Sequence, residues 1–374
     1  MGDAIEAVVI IGAGPAGMAC AWRLAQLGFS PLLLEKATFP RDKVCGDALS
    51  GKAVALLRKL GGEALVANLA RQPFAQAVDT LTFIGSSGRK VSLSFPPRDG
   101  LPQGFVVPRL ALDAWLAAHL PPTVRLRTGA CVEKVAYTAP IWTLFLKSGE
   151  EIRTRFLVGA DGATSRVGAW LWRYYRLAPP VAYPAVRGYA STGAEGAELA
   201  LYFQQPYLPG YLWDFPAAQG RRNIGLGMPP AVVKRQHLAL RQHLLSRYPG
   251  LEGVKGHGIP VSLRYRPIAG PACALVGDAA VLTDPFTGEG IANALLSGVR
   301  LAEALGRVPL SEWPATDWME MYARPLYREL RAELHLSRLL HRLAASSWQV
   351  EVLLWGANRL PSVIRTLVRW YGGG

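Results

Sequence analysis

A strand, glycine loop, helix and second strand open the chain. Period-two alternation of apolar and polar residues fills its middle, and an Arg-, Leu- and Trp-rich helical run ends it. Together these predict an α/β protein: a nucleotide-binding parallel sheet flanked by helices, an antiparallel β-sheet domain, and a helical C-terminal region. With 374 residues, half of them apolar, the chain is long enough for two domains with a substantial core, which excludes wholesale disorder.

The opening element is the most specific. Apolar Val8 to Ile11 runs into Gly12-x-Gly14-x-x-Gly17, followed by a helix to about Leu27 and a second apolar strand, Pro31 to Leu34, that ends on Glu35 and Lys36. Gly12 permits the tight turn, Gly14 lets the backbone approach a pyrophosphate, and Gly17 lets the helix pack on the sheet. Pro15 and Ala16 open the helix, whose free N–H groups and dipole favour an anion. Glu35 is placed to accept ribose hydroxyls of an adenosine. The pattern is that of a Rossmann-type dinucleotide site.

Two later segments share this strand–turn grammar. Phe156 to Val167 reads FLVGADGATSRV, delivering Asp161 from a strand. Gly277 to Leu295 reads GDAAVLTDPFTGEGIANAL, with an apolar strand before it and a helical run after it. With GAGPAG, these resemble the three fingerprints of FAD enzymes related to p-hydroxybenzoate hydroxylase. The resemblance implies a three-layer ββα FAD-binding domain. FAD is too long for one loop, so a second acid and a second helix start hold its far end. In this reading Gly277 and Asp278 serve the ribityl side, and Pro285 walls the isoalloxazine. Gly288 and Gly290 admit the pyrimidine edge, and the helix from Ile291 stabilises reduced flavin. Val107 to Leu120 resembles the R-x-x-x-D-x-x-L helix of the same group, which implies Arg109 near the FAD phosphates. Asp113 reads as a surface charge at helical spacing, the alternative being that it holds this helix.

Two stretches narrow the resemblance to the geranylgeranyl reductase family. Pro40 to Gly61 carries a Cys-Gly pair, Cys45 and Gly46, which that resemblance sets near the flavin. Pro209 to Pro216 matches a Tyr-x-Trp-x-Phe-Pro element through Tyr211, Trp213, Phe215 and Pro216. Alternation places Tyr211, Trp213 and Phe215 on one strand face, a wall for an apolar ligand. The alternatives are a packed thiol at Cys45 and a simple aromatic core. His257, in KGHGIP, reads as a loop histidine before a strand.

The implied activity is reduction of carbon–carbon double bonds of an isoprenoid lipid, with NADPH or NADH as hydride source and Cys45 or Tyr211 as proton donor. A monooxygenase acting on an aromatic or polyketide stays open on the same scaffold, as does a non-catalytic FAD protein. A halogenase fits less well, because Tyr211 stands where that pattern has Trp.

The implied FAD domain is discontinuous: residues 1–75, 100–170 and 263–308. Residues 76–99 and 171–262 form the substrate domain, with a hairpin in Asp79 to Phe95, and residues 309–374 are the helical region. Lys and Arg total 41 against 27 Asp and Glu, a net charge of +14. Such charge suits anionic lipid, anionic substrates or mere solubility, and no reader motif supports nucleic acid. Arg365 and Arg369, at i, i+4 near the end, suit packing on the FAD domain or contact with an anionic membrane. Four scattered cysteines without a CxxC pair argue against a metal site or disulfide framework. With no signal peptide and no run of about 18 apolar residues, the expected location is cytoplasmic, with peripheral membrane contact open; the oligomeric state is not legible.

Overall fold

The computed structural model describes residues 5–359 apart from 192, 194, 195 and 237. Arg365 and Arg369 lie outside the described residues. The strand Ile5–Ile11 sits at the centre of the first sheet, between Leu32–Leu34 on one side and Glu151–Gly159 on the other, all parallel. Arg125–Arg127 extends the sheet beyond Leu32–Leu34, and Cys273–Leu275 beyond Glu151–Gly159. Covered on both faces, its inner strands are almost uninterrupted Val, Ile and Leu, as parallel sheets require. The hairpin Val132–Thr138 and Ile141–Leu146 continues antiparallel from Glu151–Gly159 and supplies the extra β layer.

The turn after the first strand needs glycine. Gly12 has φ +101°, and a Cβ there would stand 2.3 Å from the Ala160 carbonyl oxygen. The helix Pro15–Gln26 then packs along the late helix Ile291–Gly306, so the first and last motifs, remote in sequence, become neighbours.

The second large sheet has seven strands, in the order Glu252–Pro260, Ala182–Ser191, Arg221–Gly227, Tyr211–Ala217, Glu198–Phe203, Thr80–Gly85 and Lys90–Ser94. It is antiparallel except where Glu198–Phe203 runs parallel to Thr80–Gly85. That exception arises because the hairpin Thr80–Gly85/Lys90–Ser94 precedes the other strands by about a hundred residues and joins their edge. One face buries Val186, Leu212, Ile224 and Leu226 under the short helices Pro230–Arg235 and Leu240–Arg247. The opposite face carries Leu81, Leu199, Leu201, Trp213 and Phe215.

A small third sheet, Ala48–Leu49, Gly104–Val106 and Gln76–Val78, lies in the segments that connect the two. The C-terminal region is helical. Trp313 and Trp318 pack edge-on against Phe156 of the first sheet, while the helices Arg331–Leu343 and Ser347–Arg359 run back toward the second.

Candidate active site

One cavity of about 840 Å³ lies between the two large sheets. Its first half is built by the opening motif. Gly12, Gly14, Pro15 and Ala16 line it, and the helix Pro15–Gln26 begins there without a side-chain cap, leaving N–H groups for an anion. A Cβ on Gly14 would stand 3.8 Å from Arg41 Nη2 and 3.9 Å from Arg109 Nη2, so two guanidinium groups flank the bare glycine. Glu35 accepts from the Ala13 N–H at 3.0 Å and pairs with Arg41 at 3.1 Å. Lys36 lines the cavity beside it. An uncapped helix start, a side-chain-free approach and paired cations fit a dinucleotide pyrophosphate, with Glu35 set for the ribose.

Arg109 is held for this role. Its Nε and Nη2 donate to Asp113 at 2.8 and 2.7 Å, and Asp113 also accepts from Arg41 at 2.7 Å. Asp113 is fully buried, which corrects its reading as a surface charge: it is the shared counterion of buried Arg109 and half-buried Arg41. Arg41 lies 72 residues upstream, beyond the reach of helical spacing.

The late motif forms the second half. Asp278 lines the cavity and is ion-paired with Lys43, while Thr283 Oγ1 donates to it at 3.2 Å. Burial raises its pKa, but Lys43, Arg109 and the Thr283 hydrogen bond together outweigh burial, and the carboxyl is held below its ordinary value. Gly288, Glu289, Gly290 and Ile291 line the cavity where the helix Ile291–Gly306 starts. Gly288 has φ +72°, and a Cβ there would lie 2.2 Å from the Tyr211 hydroxyl. Asp161 also faces the cavity; it accepts from the Ser165 hydroxyl and from the Arg166 N–H at 2.7 Å, while burial raises its pKa.

Gly17 takes the packing place read for it, while two residues expected at the cofactor, Gly277 and Pro285, stand elsewhere. Gly17 and Gly277 lie behind the wall, where a Cβ would meet Gly12 O at 1.9 Å and Ala16 Cβ at 2.8 Å respectively. Both are packing glycines. Pro285 is buried and lines no part of the cavity, because the turn aims Thr283 and Thr287 inward.

Tyr211, Trp213 and Phe215 project from one face of their strand into the same cavity, next to Leu81, Leu199 and Leu201. Pro216, one position on, is turned to the other face by strand alternation and lines nothing there. Trp213 Nε1 donates to Asn223 Oδ1 at 2.9 Å, fixing the indole. Cys45 and Gly46 lie opposite; a Cβ on Gly46 would come within 2.9 Å of Phe215. The Cys45 thiol is pushed up by burial and by Asp47. Burial also raises the Tyr211 hydroxyl, which donates to Thr287 O.

The sequence reading missed several cavity groups. His257 is in the strand Glu252–Pro260, paired opposite Ala185, and lines the cavity instead of sitting in a loop. Its Nε2 is shielded and has no partner among the described residues, and burial followed by the Lys43 charge lowers its pKa. Asp47, buried and with φ +65°, accepts from Tyr189 at 2.5 Å and Asn223 at 2.7 Å. Burial lifts it to about 6 against those donors. Glu289 accepts from Ser50 and is raised to about 7, chiefly by burial. Its place between Gly288 and Gly290 was the one available signal.

The sequence matches the family described as an FAD binding domain over residues 6–171. It is 35% identical over 398 aligned positions to a menaquinone reductase of Mycobacterium tuberculosis, covering 98% of this chain and 95% of that one. The chain belongs to the geranylgeranyl reductase-like family of FAD-dependent oxidoreductases. This flavoprotein is also 29% identical to digeranylgeranylglycerophospholipid reductase 2 of Methanopyrus kandleri, over 78% of this chain and 74% of that one. Its fold is that of a geranylgeranyl bacteriochlorophyll reductase-like protein of Thermoplasma acidophilum, with TM-score 0.80 and 23% identity over 94% of this chain and 91% of the other. The cavity described above therefore belongs to an FAD-dependent oxidoreductase.

Proposed function

We propose that this flavoprotein saturates carbon–carbon double bonds in the isoprenoid chain of a lipid or quinone, with NADPH or NADH as the source of electrons. The observation that carries the reading is one cavity with two contrasting halves: a phosphate- and ribose-binding half, and a wall of Leu81, Leu199, Leu201, Tyr211, Trp213 and Phe215. The relatives' names point to two carriers of isoprenoid units, a menaquinone and a phospholipid. Such a substrate would approach from a membrane.

Bound FAD supplies two-electron transfer. Gly12, Gly14, Arg41 and Arg109 would hold its pyrophosphate, Glu35 its adenosine ribose and Asp278 its ribityl chain. The backbone from Gly288 to Ile291 would meet the ring. The aromatic wall orients the isoprenoid and excludes water. Saturation also needs a proton, and Cys45, Tyr211 and Glu289 each keep one at this cavity by burial. Of these, Tyr211 spends its hydrogen on Thr287 O, so Cys45 and Glu289 are the freer donors.

The test is anaerobic: reduce the yellow protein, then add a geranylgeranyl lipid, a menaquinone or air. Reoxidation by an isoprenoid supports the proposal when the product is still heavier by one H2 after air has returned any quinol to quinone, which places the added hydrogen on the chain. Reoxidation by oxygen alone would sink it.

A further inference from the structure

Beyond the cavity, the helices Arg331–Leu343 and Ser347–Arg359 present a face that the other described residues leave uncovered. On Ser347–Arg359, Trp348, Val352, Trp355 and Arg359 recur at helical spacing and point outward, with Trp348 68% and Val352 56% exposed. On Arg331–Leu343, Leu339 and Leu343 are exposed at i, i+4 among Arg331, His335 and Arg342. A three-residue turn joins the helices, so the exposed Leu343 and Trp348 stand on either side of it. Scattered surface leucines need no explanation, but two exposed indoles in register with three aliphatic side chains do.

The charge on this face has one sign. The two helices contain two acids, Glu333 and Glu351, and both are engaged with the body of the protein: Glu333 with Lys52 at 2.7 Å, Glu351 with the Ser87 N–H at 2.8 Å. Beside Leu339 a groove of about 320 Å³ is lined by Arg264, Arg338 and Arg342 with Tyr265 and His335. Its floor is fixed: Arg338 Nε donates to Ser262 O at 2.7 Å, and its guanidinium lies 4.2 Å from the Tyr265 ring centre. Among the described residues, Arg264 and Arg342 have no carboxylate partner.

We propose that this face docks on an anionic lipid bilayer, with the arginine groove taking a phosphate-bearing headgroup and the Leu339–Leu343–Trp348–Val352–Trp355 stripe entering the acyl boundary. The pairing of apolar side chains with unpaired arginines at one edge is what an interfacial helix requires. The inference deepens the reading of a lipid substrate, but binding is measured without turnover, so either can fail alone.

The full chain with its FAD is floated with phosphatidylcholine vesicles, with and without phosphatidylglycerol. Wild type should bind the anionic vesicles, and binding should weaken with salt. The pair Arg264→Gln and Arg342→Gln should weaken it about 25-fold, about fivefold per charge. The pair Trp348→Ala and Trp355→Ala should weaken it at least about tenfold, with flavin content and melting unchanged. Equal binding to neutral vesicles, or wild-type binding by both pairs, overturns the proposal. So does a dimer that the Trp pair dissolves, which would assign the face to a second copy. Shielding of these indoles from acrylamide in the vesicle-free monomer would assign it to the chain's own residues.

Discussion

Replacing Glu289 by Gln should make the protein more stable at pH 8 and change it little at pH 5. Glu289 Oε1 accepts from Ser50, while Oε2 is shielded and has no partner among the described residues. Lys52, the nearby cation, is bound to Asn293 at 2.8 Å and Glu333 at 2.7 Å instead. Burial, with Glu333 and Asp284 adding to it, lifts the carboxyl from 4.5 to about 7. An acid whose folded pKa is raised binds its proton more tightly when folded. Its favourable contribution is complete below about pH 4.5 and is lost as pH rises to about 7. A rise from 4.5 to about 7 corresponds to a ceiling of about 3 kcal/mol. Gln keeps an acceptor for Ser50 and removes the titration. Urea unfolding of both proteins in the same cofactor state, from pH 5 to 8.5, isolates the effect as a difference, since Asp47 and other groups titrate in both. A wild-type-minus-variant difference that stays flat with pH, or grows in favour of Glu, would refute the reasoning.

Three further outcomes follow from the same geometry. Asp113→Asn leaves Arg109 and Arg41 without their shared buried charge, and should cost about 3–5 kcal/mol in urea unfolding; a loss under 1 kcal/mol would show the pair to be solvated. Gly12→Ala forces a Cβ to 2.3 Å from Ala160 O at positive φ, so the variant should purify without flavin absorbance or fail to fold. Trp213→Ala empties part of the apolar wall; KM for the isoprenoid proposed as substrate should rise at least about tenfold while FAD affinity holds, and an unchanged KM would remove the indole from the proposed substrate site.

What the sequence disclosed and withheld divides along the reach of each interaction. The glycine turn and the bare helix start were legible because their geometry is local: a strand must end, a turn must take φ above zero, and a helix must begin, all within six residues. Asp113 was misplaced because helical spacing sees Arg109 four residues away but not Arg41, which arrives from another segment. His257 looked like a loop residue because Gly256 and Gly258 flank it; pairing with Ala182–Ser191 makes it a strand and gives its side chain a direction.

Pro216 and Pro285 failed for a different reason. A motif fixes where the backbone goes, but each side chain's outlook depends on parity along a strand or on the course of a turn. For Tyr211, Trp213 and Phe215 parity could be counted from the sequence, and the same count turns Pro216 away. For Pro285 nothing could be counted, because the turn from Thr283 to Gly288 is shaped by hydrogen bonds such as Thr287 N–H to Asp284 at 2.8 Å. The proton-holding groups lie further from view still. Cys45, Tyr211 and Glu289 come from three segments that meet only when the second sheet closes over the first, and burial at that meeting keeps their protons. A sequence can therefore name the cofactor from contiguous residues, while the proton donor proposed above depends on how distant segments meet.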